Sequence, residues 1–165
     1  MANQKTLTVG GYDFKFVADL LPECDKNGKI LEYQPQANYA NTKNLLPNDY
    51  GKGSFCKFSI DSAGINIETS GVYIWLENDE IIYIGEAVNL KKRFNTGYGN
   101  ISPRNCFEGG QSTNCKMNKV VLEESKKGNI ISLYFYATTE HKKVEKELLS
   151  NKNISKKYNV KDVIQ

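Results

Sequence analysis

The chain has 165 residues, 39% of them hydrophobic and 25% charged, with a formal net charge of +3. That length builds one domain with a real core, and the composition is that of a globular protein. No apolar run approaches the roughly 20 residues that span a bilayer. The N-terminal MANQKTLTVGG lacks the apolar stretch of a secretory leader, so none is expected. A charge of +3 permits nucleic-acid binding without arguing for it. Cys24, Cys56, Cys106 and Cys115 show no Cys-x-x-Cys spacing, and His141 is the single histidine, so a zinc site would need an unusual ligand set. The cysteines read as free, reduced thiols of a cytoplasmic protein with no membrane partner.

In chain order, alternating residues around Gly10-Gly11 predict a hairpin with a tight turn over 6–16. The stretch Phe16–Leu21, stopped by Pro22, reads as a short helix. From Pro22 to about Gly53 the chain is polar and irregular, with short strands such as Lys29–Tyr33; Phe55–Ile60 reads as a further strand. Gly71–Leu76 is a strand by its β-branched and aromatic content, Asn78-Asp79 a turn, and Ile81–Gly85 the returning strand. Asn89 suits the N-cap of a helix NLKKRF that ends near Gly97. Residues 98–113 form a polar loop, Asn114–Lys127 a helix stopped by Gly128, Ile130–Ala137 a strand, and Thr139–Leu149 a last helix. The order predicts an α/β architecture of the α+β type: a small, mainly antiparallel sheet flanked by helices. Residues 1–65 read as an N-terminal strand and loop extension, and 66–165 as the core.

Residues 71–85 read GVYIWLENDEIIYIG, which places Tyr73 and Tyr83 on adjacent strands. A helix bearing Arg93 follows, then a helix in which Glu145 precedes Leu148-Leu149, then a late Asn159. In this order of motifs, over about residues 70–160, the chain resembles the GIY-YIG nucleases. The nearest resemblance is to small stand-alone bacterial or phage members, restriction endonucleases among them. The resemblance implies a three-stranded antiparallel sheet flanked by helices, and hydrolysis of a DNA strand that depends on Mg2+, with Mn2+ able to substitute. It also implies that Tyr73 and Tyr83 line the site and that one of them helps deprotonate the attacking water. Arg93 then faces the scissile phosphate, Glu145 is the single metal ligand, and Asn159 supports the site from the tail.

The chemistry agrees with those residue types. Arginine presents a planar, permanently charged fork to phosphate oxygens. A positioned cation facing developing negative charge is worth about 10²–10³ in rate. Magnesium keeps several waters, so one carboxylate plus a substrate phosphate suffices, and no Asp/Glu cluster is needed. A phenol titrates near about 10 and is a weak base at neutral pH unless a cation lowers that value.

Each assignment has a plainer rival. Either tyrosine alone would pass for a half-buried sheet residue, and Arg93 for a solvated charge beside Lys91 and Lys92. Glu147 competes with Glu145, though residues two apart on a helix face different ways. Asn159 would also suit a turn. Where the family often places a Tyr or His one turn after the arginine, this chain has Gly97, with Tyr98 next; Tyr98 is expected to fill that role from a loop. His141 lies one turn before Glu145 and shares its face, either assisting it or standing in solvent.

Lys91, Lys92, Arg104, Lys116 and Lys119 are the candidate DNA contacts. The loop Asn100–Lys116 also carries Asn105, Gln111, Ser112, Thr113 and Asn114, residue types that read base edges or phosphates when they are not simply solvated. Residues 141–165 hold seven lysines against three acids, a surface suited to a DNA backbone. The expected function is a metal-dependent endonuclease acting on double-stranded DNA, sequence-selective in the manner of a restriction enzyme, in a bacterial or phage-infected cell. Two alternatives stand beside it: a structure-selective or nicking enzyme of repair or phage type, and an inactive DNA-binding module. Residues 1–65 are the place for added specificity or for a homodimer contact.

Overall fold

The computed structural model of the chain describes residues 5–61, 64–154 and 156–159. The chain divides into two compact units. One comprises residues 1–20, 60–91 and 130–165, and the other 21–59 and 92–129.

The first unit is a five-stranded sheet with one covering helix. The strands are β1 (Thr6–Val9), β2 (Tyr12–Asp19), β3 (Gly71–Glu77), β4 (Glu80–Ala87) and β5 (Ile131–Ala137). They lie in the order β1-β2-β5-β3-β4, and every neighbouring pair is antiparallel. Both hairpins turn as the sequence indicates. Gly10 and Gly11 have φ of 59° and 87°, and Asn78 and Asp79 have φ of 50° and 63°. Positive φ at both central residues matches the turn to the right-handed strand twist, which favours Gly, Asn and Asp there.

This architecture corrects the expected three-stranded sheet with an appended N-terminal extension. The first hairpin is part of the sheet, because β2 pairs along β5 from Lys15↔Phe135 to Asp19↔Ser132. The short helix expected at Phe16–Leu21 is instead the end of β2. A bulge between Phe16 and Ala18 breaks the two-residue alternation there, so the apolar spacing no longer reads as a strand. Phe14 and Val17 are nevertheless both buried.

Helix α3 (His141–Ser150) covers one face of this sheet. Its Val144 and Leu148 join Phe14, Val72, Ile74, Ile84 and Tyr134 in one apolar cluster. Side chains alternate along a strand. Tyr73 and Trp75, with Tyr83 opposite Trp75, therefore belong to the other face.

The second unit holds α2 (Ser112–Lys126) and long connecting segments. Gly128, at φ 83°, ends that helix, and its N–H bonds the Ser125 carbonyl. The segment expected as a strand from Phe55 forms an isolated bridge to Tyr33 and single backbone bonds to Glu23 and Gly99 rather than a continuous ladder. Its ladder partner is a side chain: buried Asn118 of α2 accepts from the Cys56 N–H at 2.9 Å and donates to the Cys56 carbonyl at 2.8 Å. A second core gathers Phe55, Ile101, Cys106, Phe107 and Cys115. Cys24 is exposed and Cys56, Cys106 and Cys115 are buried, all as free thiols. Among the described residues, no helix is long and apolar enough to cross a membrane.

Candidate active site

Both glycines of the paired motif are there for steric reasons. A Cβ on Gly71 would lie 2.3 Å from the Tyr136 carbonyl oxygen and 2.5 Å from the Phe135 ring. One on Gly85 would lie 2.4 Å from Cζ and Oη of Tyr73. Tyr73 and Gly85 are directly paired across β3 and β4, so the Tyr73 ring lies over the space that Gly85 leaves. The ring centres of Tyr73 and Tyr83 are 6.4 Å apart, and Trp75 packs edge-on to Tyr83 at 5.9 Å. The structure thus brings the two tyrosines together, but Tyr73 is only 1% exposed while Tyr83 is half-buried.

Asn159 is 4% exposed and bonds the residue between Tyr83 and Gly85. Its Oδ1 accepts from the Ile84 N–H and its Nδ2 donates to the Ile84 carbonyl, both at 2.9 Å. Tyr158 N–H bonds the Ile82 carbonyl at 2.8 Å. The tail therefore satisfies the free edge of β4, where unpaired backbone groups would otherwise invite another strand. Residues 160–165 of the basic C-terminal stretch lie outside the described residues.

Helix α3 separates its two glutamates. Glu147 is exposed and accepts from the Tyr12 hydroxyl of β2 at 2.6 Å. That bond to a carboxylate holds the Tyr12 phenol above its ordinary range. Glu145 is half-buried. His141, at the start of the helix, is 14% exposed rather than solvated, and its Nδ1 bonds Oε2 of Glu86, the residue after Gly85. No motif in the sequence singles out Glu86 as that partner.

Arg93, Tyr98 and Asn114 lie in the second unit. Helix α1 (Leu90–Arg93) passes directly into a single π turn over Phe94–Tyr98, in which Gly99 N–H bonds the Phe94 carbonyl at 2.7 Å. A π turn carries one extra residue. Tyr98, five residues after Arg93, therefore takes the place that the fourth residue would hold in an α-helix. It is fully buried, its hydroxyl accepts from Arg93 Nη2 at 2.9 Å, and the guanidinium carbon lies 4.1 Å from its ring centre. Tyr98 thus stands on a helical turn rather than a loop. Asn114 is buried in α2, where its Oδ1 accepts from Arg93 Nη1 at 2.6 Å and its Nδ2 donates to Gln111 Oε1 at 3.0 Å. Its burial takes it out of the set of surface base readers. Asn118 Nδ2 donates to the Tyr98 carbonyl at 2.8 Å and so fixes the π turn as well. No short-range pattern marks Asn114 or Asn118, because both act across the fold.

Among the candidate DNA contacts, Lys92 is exposed and Lys91 and Lys116 are half-buried. Arg104 Nη1 donates to the Glu108 carbonyl at 2.8 Å, and Lys119 Nζ donates to the Lys52 carbonyl and sits 4.5 Å from the Phe55 ring centre. Arg104 and Lys119 therefore already serve the loop structure. Nearby, the Cys115 thiol bonds Cys106, which lowers the Cys106 value and, with burial, raises that of Cys115.

Among the described residues, no three of His, Cys, Asp and Glu form a group that could hold a metal ion. A lone carboxylate such as Glu145 suits a hard, oxygen-seeking cation that keeps most of its waters. Comparison with family models, with curated proteins and with solved structures returns no match.

Proposed function

We propose that the chain is a divalent-metal-dependent DNA endonuclease with a GIY-YIG-like site, selective for sequence in the manner of a restriction enzyme. The observation that carries this reading is the Arg93–Tyr98 pair. The sequence departs from the motif at Gly97, and a π turn supplies the aromatic one turn after the arginine all the same. Two fixed hydrogen bonds, donated by the guanidinium to the Tyr98 hydroxyl and to Asn114 Oδ1, orient it before any phosphate arrives. Orientation completed in advance is what makes a cation effective against charge that develops only in the transition state.

Under this reading Arg93 binds a non-bridging phosphate oxygen. Half-buried Tyr83 contributes the phenol a substrate can meet, buried Tyr73 backs it in a ring pair locked by Gly85, and Asn159 holds the strand that carries Tyr83. Glu145 would hold a magnesium or manganese ion, which would supply Lewis-acid stabilisation of the phosphate and of the departing oxygen. Glu147, engaged by Tyr12, is the weaker candidate for that role. Lys91, Lys92, Arg104, Lys116 and Lys119 would meet the DNA backbone or base edges, and a second copy would allow both strands to be cut.

The test is incubation of the protein with supercoiled plasmid and long linear DNA, with Mg2+ or Mn2+ and with EDTA. Discrete metal-dependent fragments support the reading. Nicking alone moves the protein to the structure-selective alternative. Binding without cutting on varied, unmethylated substrates makes it a DNA-binding module.

A further inference from the structure

We propose that His141, held by Glu86, accepts the proton of the attacking water in this hydrolysis; the inference rests on the nuclease reading above. Two features of the tyrosines argue against either as the base. Tyr73 is 1% exposed, with its ring closed over Gly85, and Tyr83 is packed against Trp75. A phenol also ordinarily titrates near about 10, far from neutrality, whereas an imidazole ordinarily titrates near about 6.5. A general base works best when its value is close to the working pH.

The Glu86–His141 pair has the required construction. The carboxylate of Glu86 only accepts hydrogen bonds, so Nδ1 of the neutral ring carries the proton and Nε2 presents its lone pair. Both side chains are part-exposed, at 26% and 14%, so water reaches them. Glu86 follows Gly85 on β4, and its side chain lies on the α3 face of the sheet. Glu145 is four residues beyond His141, on the same side of α3. Base, positioning carboxylate and proposed metal ligand thus belong to one helix–strand pair. In the step, the water oxygen forms a bond to phosphorus while its proton passes to Nε2. The phosphorus–oxygen ester bond breaks, and the leaving alkoxide takes a proton from solvent. The imidazolium then returns its proton to solvent. His141 is the catalytic residue and Glu86 a positioning residue.

The experiment uses the full chain with His141→Ala, His141→Gln and Glu86→Ala. Both His141 variants are expected to lose cleavage by about 10²–10⁴, the usual range for a removed general base, while DNA affinity measured without metal stays unchanged. Added imidazole should restore part of the His141→Ala rate. Pyrazole, of the same shape but far less basic, should not. Nitrogen NMR of the neutral ring should show the Nδ1–H form in wild type and a mixture of the two tautomers in Glu86→Ala. Wild-type cleavage with undiminished rates in both His141 variants overturns the inference and leaves the nuclease reading standing. Rescue by pyrazole equal to rescue by imidazole also overturns it, since filling space would then suffice. Wild type that cuts no DNA overturns both.

Discussion

Gly85→Ala puts the packing of the tyrosine pair to a direct test. The new Cβ would stand 2.4 Å from Cζ and Oη of Tyr73 and 2.7 Å from its Cε2. Favourable carbon contacts lie at about 3.5–4.0 Å, so the ring must retreat by about 1 Å. It has little room, because Tyr73 is 1% exposed and the backbones of Tyr73 and Gly85 are paired in the ladder. Overpacking of this kind costs about 1–3 kcal/mol. Replacing a strand glycine returns about 0.5–1 kcal/mol of that. A net loss of about 1–2 kcal/mol follows, which for a chain of this size lowers Tm by about 2–8 °C. Denaturant titration of wild type, Gly85→Ala, Tyr73→Leu and the double variant measures it. Leucine removes the ring atoms that collide, so the Gly85→Ala penalty should shrink in the Tyr73→Leu background by more than the roughly 0.5 kcal/mol scatter of additive pairs. An equal penalty in both backgrounds, or none in either, would refute the steric reason for glycine at position 85 of β4.

Asn159→Ala removes both bonds to the Ile84 backbone and should cost about 2 kcal/mol, since each unsatisfied buried group costs about 1–3 kcal/mol and water can reach an edge strand in part. Hydrogen exchange at the Ile84 amide should accelerate at least about tenfold with that loss; unchanged protection would show that the tail does not guard the edge. Tyr98→Phe removes one hydrogen bond to a charged donor, worth about 1.5–3 kcal/mol. It should slow cleavage by roughly tenfold or more, while circular dichroism still reports a folded chain. Burial pushes the Cys56 thiol from 9.0 up to about 12. Its folded value lies above the unfolded one, so its contribution is whole below about pH 9. As pH rises toward 12 it is lost, by about 1.4 kcal/mol per unit. Urea midpoints taken between about pH 8 and pH 10 should therefore fall more steeply for wild type than for Cys56→Ala, and parallel curves would contradict the burial argument.

Much of the sheet was legible because its signals are local. The β-branched and aromatic content of Gly71–Leu76, the returning strand Ile81–Gly85 and the Asn78-Asp79 turn mark β3 and β4 within one or two residues. Gly128 marks the end of α2, and the apolar run before Thr138 marks β5. What stayed hidden depends on distant partners. The bulge after Phe16 disguised β2, whose pairing with β5 joins residues more than a hundred positions apart. The segment after Phe55 has strand-like composition but is held by the Asn118 side chain and by single backbone bonds to Glu23 and Gly99 instead of by a neighbouring strand. In the candidate site, Tyr73, Tyr83, Arg93 and Asn159 are named by the resemblance of their motifs to the GIY-YIG nucleases. The π turn that delivers Tyr98, the Asn114 brace and the Glu86–His141 contact each arise from packing, which a motif does not record.

Central to the proposed function is whether this chain cuts DNA with Arg93 and Glu145. Wild type, Arg93→Ala, Glu145→Ala and Glu147→Ala should be run together on plasmid and long linear DNA with Mg2+, and each should be tested for DNA binding without metal. Discrete fragments from wild type and Glu147→Ala, lost in Arg93→Ala and Glu145→Ala while Glu145→Ala still binds DNA, is the result the account predicts. DNA left intact by wild type with either metal, or cut by Glu145→Ala as fast as by wild type, would contradict it.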